Sequence, residues 1–330
     1  MADGALDTGN NAWVGMAFAH YAAATGDGCY ADVARDILFA LKLRATCDGK
    51  LGGFASRFKP YPHFYRSTEH NIDMYALSTM LGDGDAAKNA HTFVKGMYSA
   101  GGVDGSYATG TGDAHHCDDE VPLAPSAVDA QFWNMLAGAD MDAARKHESI
   151  GSALKTAGDA GSKQATVGLW QEDIDRIGNK DGVGIGNKMY GVRFSTWGHG
   201  IQWENTASAA MAMVRYLQLY KDDEKPLETD VADRVAGARD SLRTLLGVYG
   251  CVPASILGGN IAAWIKVSLA PSLALHHPPS PSHLPAPCRA TERPFRPLSR
   301  RLGYRDWLDL PPVPARRRDR LDGPALALPV

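Results

Sequence analysis

The stretch Tyr65-Arg66-Ser67-Thr68-Glu69-His70-Asn71-Ile72-Asp73-Met74-Tyr75-Ala76-Leu77 opens as a polar cluster and becomes an apolar helix within one turn. Ile72, Tyr75, Ala76, Thr79 and Met80 share one helical face, and Met74, Leu77 and Leu81 form a second apolar row. A helix apolar on two sides is buried between two layers. Its first turn nevertheless carries Glu69, His70, Asn71 and Asp73, polar groups that are costly to bury without partners. A buried helix with a polar mouth suits the floor of a pocket.

The same design recurs outward from this helix. Asn10–Thr25, Ser126–Ala139 and Trp203–Leu219 read as buried helices of the same kind. Each is followed by a helix with one charged face: Tyr30–Leu43, Ala86–Tyr98 after Ser67–Leu81, Asp142–Thr156 and Leu227–Leu246. The pattern predicts four hairpins, each an inner helix followed by an outer one. Turns from inner to outer helix are short, whereas the returns 44–66, 99–125 and 157–202 are long. Loops of that length in a compact domain are usually functional or disordered. If successive hairpins pack side by side, all inner helices run the same way. Every long loop and every inner-helix N-terminus then lies at one end, the predicted functional face.

The long loops hold Phe54, Phe58, Tyr61, Phe64, Tyr65, Tyr107, Trp170, Tyr190, Phe194 and Trp197, interleaved with glycines. Aromatic faces beside hydrogen-bonding groups suit sugar rings, although loop aromatics also pack locally. The 330-residue chain has the apolar and charged content of a globular protein, with no apolar run of membrane-spanning length. Its net charge of −3 divides into −8 over the first 270 residues and +5 over the last sixty. An acidic body argues against a nucleic-acid groove. Residues 1–11 lack a basic start and an apolar core, so no signal peptide is expected and the cytoplasm is the default location. Five scattered cysteines without paired spacing predict reduced thiols. Residues 1–267 read as the helical domain. The remainder, 268–330, is rich in proline and arginine and reads as a disordered tail.

Four stretches carry a resemblance: Asp7-Thr8-Gly9-Asn10-Asn11-Ala12-Trp13, Ser67-Thr68-Glu69-His70-Asn71-Ile72-Asp73, Val121-Pro122-Leu123 with Asp129-Ala130-Gln131-Phe132-Trp133, and Trp203-Glu204-Asn205-Thr206-Ala207. In order and rough spacing, over about Asp7 to Ser255, they are similar to an uncharacterised family of six-hairpin-glycosidase-like proteins. The resemblance implies an all-α, (α/α)6-type toroid with ligand at the N-terminal mouth of its inner helices. It also implies carbohydrate chemistry, since the wider superfamily is mostly glycoside hydrolases with some lyases and epimerases. Two departures stand out: four hairpins are visible where the toroid has six, and the chain breaks into the proline-arginine stretch where a closing hairpin would follow. A toroid truncated at both ends is the expectation.

Glycoside hydrolysis uses two carboxyl groups, one as acid and one as base or nucleophile. At the predicted mouth stand Glu69, Asp73, Asp129 and Glu204, with Glu69 the expected acid and Glu204 the base. Each has a structural alternative. Asp129 completes a capping-box-like Ser126-Ala127-Val128-Asp129, and Glu69 and Glu204 sit where a helix dipole favours a carboxylate. Asn11, His70, Asn71 and Gln131 suit sugar hydroxyls but also suit caps and loop ties. Tyr65, Trp13, Trp133, Trp197 and Trp203 are candidate sugar contacts. Of the three helical tryptophans, Trp203, beside the long loop, is the one expected as a platform. His115-His116-Cys117-Asp118-Asp119-Glu120 lacks the spaced ligands of structural zinc, and Gly182-Val183-Gly184-Ile185-Gly186 lacks the strand and helix of a dinucleotide loop. Neither metal nor cofactor is expected. The leading expectation is a glycoside hydrolase acting on an oligo- or polysaccharide. The alternatives are a catalytically silent glycan-binding or scaffolding toroid, and a lyase or epimerase using His70, His63 or Tyr65.

Overall fold

The structure, a computed structural model, describes residues 6–58, 64–123, 126–155, 190–192, 194–195, 201–220 and 228–252. All belong to one unit, Met1–Phe295. Tyr61, His63, Trp170, Trp197, the Gly182–Gly186 run and the 268–330 segment lie outside the described residues.

Among the described residues, eight helices form four hairpins, as the alternation of apolar and amphipathic segments predicts: α1 (Thr8–Thr25) with α2 (Gly28–Ala45), α3 (Thr68–Leu81) with α4 (Gly84–Gly96), α5 (Val128–Ala137) with α6 (Ala143–Lys155), and α7 (Trp203–Leu219) with α8 (Glu228–Tyr249). Three inner helices end at glycines with positive φ, Gly26 (74°), Gly82 (73°) and Gly138 (68°), the left-handed stop that only glycine adopts without strain. Asp27 and Asp83 cap the outer helices α2 and α4, their side chains accepting from Cys29 N and Ala86 N. The inner helices pack in sequence, α1 on α3, α3 on α5 and α5 on α7. Gly9 and Gly15 let α1 close on α3. A Cβ there would stand 2.4 Å from His70 Cδ2 and 2.9 Å from Leu77 Cδ2 respectively.

Two apolar clusters fill the space between the layers. One joins Ala12, Met16, Leu38, Leu41, Met74 and Leu77. The other joins Ile72, Phe93, Val94, Met97, Tyr107 and Ala130. Their shared wall is α3, whose Ile72 and Met74 face opposite clusters, as its two apolar rows require.

The long loops are tied to the inner-helix starts by one repeated device. Strand β1 (Leu6–Asp7) pairs antiparallel with β2 (Arg57–Phe58), Ser67 bridges Gly110, and Ala127 bridges Ser195. The first N–H of α1, α3 and α5 then donates to the loop beside it: Thr8 to Ser56 O at 2.9 Å, Thr68 to Thr109 O at 2.9 Å, Val128 to Phe194 O at 3.0 Å. Orphan helix-start donors are thus satisfied by loop carbonyls instead of water. The same loops also meet the next helix start, through Ser67 N to Ser56 Oγ, Ala127 N to Thr109 Oγ1 and Val192 N to Thr206 Oγ1. Consecutive inner-helix N-termini therefore share a loop between them, and all four point to one end.

Gly110 marks how tightly this seam is drawn. A Cβ there would lie 2.2 Å from the Arg66 carbonyl oxygen, which is backbone and cannot swing aside. Gly110→Ala is expected to cost about 2–3 kcal/mol by forcing the bridge apart, read as a lower denaturation midpoint at unchanged m-value. An unaltered midpoint would show that the seam yields freely.

Two expectations are corrected. Cys47 and Cys117 form a disulfide with Cα atoms 5.5 Å apart, so the thiols are not all reduced. A sequence separation of 70 hides the pairing, because two separate long loops fold together to bring the sulfurs side by side. The capping box at Ser126 is not formed either: Ala127 is the N-cap residue, without a side-chain cap, and Asp129 lies in the first turn with its carboxylate engaged elsewhere.

Candidate active site

The common end of the inner helices gathers the four acids that the sequence singled out. Glu69 and Asp129, from α3 and α5, share a side-chain hydrogen bond. Glu204, at the start of α7 and exposed, lies within electrostatic reach of both. Asp73, one turn below Glu69, is 3% exposed and also feels Asp129. The separation of 135 positions between Glu69 and Glu204 is closed by the shared direction of the inner helices.

Burial and crowding raise Glu69, Asp73 and Asp129 above the usual carboxylate range. Burial is the first cause in each case, because the charged form loses water. Glu69 is pushed well above the usual carboxylate range by burial, then by the charges of Asp129 and Asp73 and by its hydrogen bond to Asp129. Burial raises Asp129 to about 6, although accepting from Glu69 and from Ala130 N holds it down. The pair shares one proton, carried on Glu69 and donated to Asp129. Asp73 is raised by burial and by Asp129, while the Trp13 indole N–H offsets part of this by hydrogen bonding to it.

Trp13 stands at the mouth with 52% of its surface exposed and meets Trp133 edge to face, centroids 5.6 Å apart. Asp73 beneath it fixes the indole. Trp203, by contrast, is fully buried and cannot be the platform that its place beside the long loop suggested. On a helix apolar nearly all round, periodicity does not tell which face meets the lumen.

The amides have a different role from the hydroxyl contacts expected of them. Asn71 is fully buried, accepting from Phe54 N at 2.8 Å and donating to Phe54 O and Ser67 O. Gln131 repeats this, accepting from Tyr107 N at 3.0 Å and donating to Tyr107 O and Ala127 O. Asn11 donates to Asp7 O at 2.7 Å. These amides stand at equal intervals, three residues after Thr8, Thr68 and Val128, and they tie loop or helix-start backbone. His70 turns toward β1, against the Ser56 carbonyl and between Asp7 and Arg57, and burial lowers it to about 4. Tyr65 lies beside Glu69, hydrogen bonded to Ser56, and burial raises it.

Arg66, which sequence reasoning passed over, anchors the start of α3. It is fully buried and donates to Gly52 O (2.5 Å), Cys117 O (3.3 Å), Asp118 O (2.5 Å) and Asp119 Oδ1 (2.7 Å), with its guanidinium over Phe93. Asp119 in turn accepts from Lys50 N and Leu51 N. An arginine directly before the Ser67 cap was the available signal.

No family model matches the sequence, and no curated protein matches it. Solved structures do. A cellobiose 2-epimerase from Spirochaeta thermophila superposes with a TM-score of 0.51 at 15% identity, over 76% of this chain and 62% of its own. The fold is that of the six-hairpin glycosidase-like proteins. Also similar are the Lin0763 protein from Listeria innocua (TM-score 0.48, 15% identity, 77% of this chain and 65% of that one) and a family 76 α-1,6-mannanase from Salegentibacter (0.45, 14%, 72% and 64%). The chain thus spans between 62% and 65% of the length of these six-hairpin structures. Among the described residues, four hairpins of this toroid are present, and no helix is long and apolar enough to cross a membrane.

Proposed function

We propose that this chain is a carbohydrate-active enzyme of the glycosidase type, with its site at the inner-helix mouth. The observation that carries this is the carboxyl pair Glu69–Asp129 with Glu204 within electrostatic reach, beside the exposed Trp13. Glycosidases hold their two working carboxyl groups about 5–5.5 Å apart when retaining and about 6.5–9.5 Å apart when inverting. Glu69 and Asp129 touch, so they cannot straddle a scissile bond between them. They act as one unit, a proton-loaded acid, and Glu204 supplies the opposite carboxylate. In this reading Glu69 protonates the leaving glycosidic oxygen, Asp129 keeps Glu69 protonated until then, and Glu204 acts on the anomeric carbon directly or through water. Asp73 is a positioning residue that holds Trp13, on which a sugar face stacks.

The electrostatics give a test independent of substrate. For a carboxyl group raised by folding, the native state binds more protons than the unfolded chain above the ordinary carboxylate value. Its stabilising contribution is present below about pH 4 and is lost as pH rises through the raised value, near 6 for Asp129. Glu69→Gln removes the crowded charge at constant size. The variant is expected to melt higher than the parent at pH 8 and to lose that advantage at pH 4. A lower melting point at pH 8 would mean that the carboxyls are not mutually destabilising. Activity itself is expected to fall only at alkaline pH, as Glu69, raised well above the usual carboxylate range by burial and its acidic neighbours, loses its proton.

A further inference from the structure

We infer that Cys47, Cys117 and His116, once the disulfide is reduced, form a binding site for one soft divalent cation such as Zn2+. The three donor atoms, two sulfurs and one ring nitrogen, already lie within 4.8 Å of one another. In a tetrahedral zinc site, bonds of about 2.3 Å to sulfur and 2.0–2.1 Å to nitrogen place neighbouring donors within that span. Cys2His plus water is a donor set that zinc accepts.

Adjacent ligands in sequence rarely converge, and the local backbone explains why these do. Asp118 N donates to His115 O, closing a tight turn with His116 and Cys117 at its two corners. Cys117 has φ of 56°, a left-handed conformation that a turn normally gives to glycine or asparagine. This draws His116 and Cys117 to one side, facing Cys47 on the other loop. Cys47 is 1% exposed while His116 is exposed, which leaves a solvent approach from the histidine side.

The surroundings give the metal a structural purpose. A Cβ on Gly49 would sit 3.1 Å from Asp119 Oδ1 and 3.3 Å from Cys117 O, so the two loops are in direct contact here. Between them they supply all the acceptors of Arg66. A disulfide keeps the loops together where conditions are oxidising, and a bound cation would replace that tie where thiols are reduced.

The test uses the full chain with Cys29, Cys251 and Cys288 changed to serine, because Cys29 is itself disulfide-bonded and would also be reduced, and Cys251 is an exposed free thiol. A trialkylphosphine under anaerobic conditions delivers two electrons to the S–S bond. Each sulfur takes a proton, water supplies the oxygen, and the phosphine leaves as its oxide. Metal binding then displaces the thiol protons. Co2+ is titrated as the spectroscopic probe and displaced with Zn2+. One equivalent with a thiolate-to-cobalt charge-transfer band is expected for the reduced chain and none for the oxidised one. His116→Ala, at an exposed position whose packing is an edge contact with Phe64, is expected to weaken binding about tenfold or more while leaving the melting midpoint of the oxidised chain nearly unchanged. No band in the reduced chain, binding undiminished by His116→Ala, or equal binding by the oxidised chain would each overturn the proposal.

Discussion

Glu69→Gln is expected to lower kcat for oligosaccharide hydrolysis by about 10²–10⁴-fold, the range that a positioned general acid supplies. The amide keeps the size of the side chain and can still face Asp129, but it has no proton to give. KM should move little, because the sugar's platform and hydroxyl contacts are untouched. Glu204→Gln should fall by a similar factor for a different reason, the loss of the base or nucleophile. The two losses are separable by leaving group. A substrate whose leaving group needs no protonation should rescue Glu69→Gln and leave Glu204→Gln inactive. Asp129→Asn should act on the pH profile first, shifting the alkaline limb, since its part is to set where Glu69 loses its proton. Steady-state rates across pH for the three variants check all of this, and equal rescue of both glutamate variants would refute the division of roles.

The second large effect is on stability. Arg66→Ala should cost about 3–5 kcal/mol, the scale of breaking a buried charged pair from one side. Asp119 is 37% exposed on its side chain and can be rehydrated, so the ion pair is the smaller part. The larger part is the carbonyls of Gly52, Cys117 and Asp118, left without their donor inside a seam closed by the disulfide. For a domain of this size the melting midpoint should fall by roughly 10 °C. A fall of a degree or two would show that water enters the seam and replaces the guanidinium.

Much of the architecture was legible because it is written in local signals. Glycines at 26, 82 and 138 end the inner helices, and the contrast between all-apolar and one-sided helices separates inner from outer. Loop lengths then placed Glu69, Asp129 and Glu204 at one end, since direction follows from connection length alone. What stayed hidden depends on which side of an element faces what. Trp203 read as the platform and Trp13 as core, yet Trp13 stands at the mouth and Trp203 is buried. Asn71 and Gln131 carry the chemistry of sugar contacts but tie Phe54 and Tyr107 backbone. Their equal spacing with Asn11 was visible and points to a repeated structural part. Cys47 and Cys117 leave no trace at a separation of 70 residues, because their meeting depends on two long loops.

The claim at the centre of this account is that the inner-helix mouth binds a sugar across Glu69 and Glu204. The most direct measurement is a crystal structure of the Glu69→Gln variant with an oligosaccharide that the parent chain turns over. The expected result is a sugar ring against Trp13, its glycosidic oxygen within hydrogen-bond distance of the residue 69 amide, and Glu204 facing the anomeric carbon from the other side. An oligosaccharide bound away from this mouth, or seated there with its glycosidic bond remote from both residues, would contradict it.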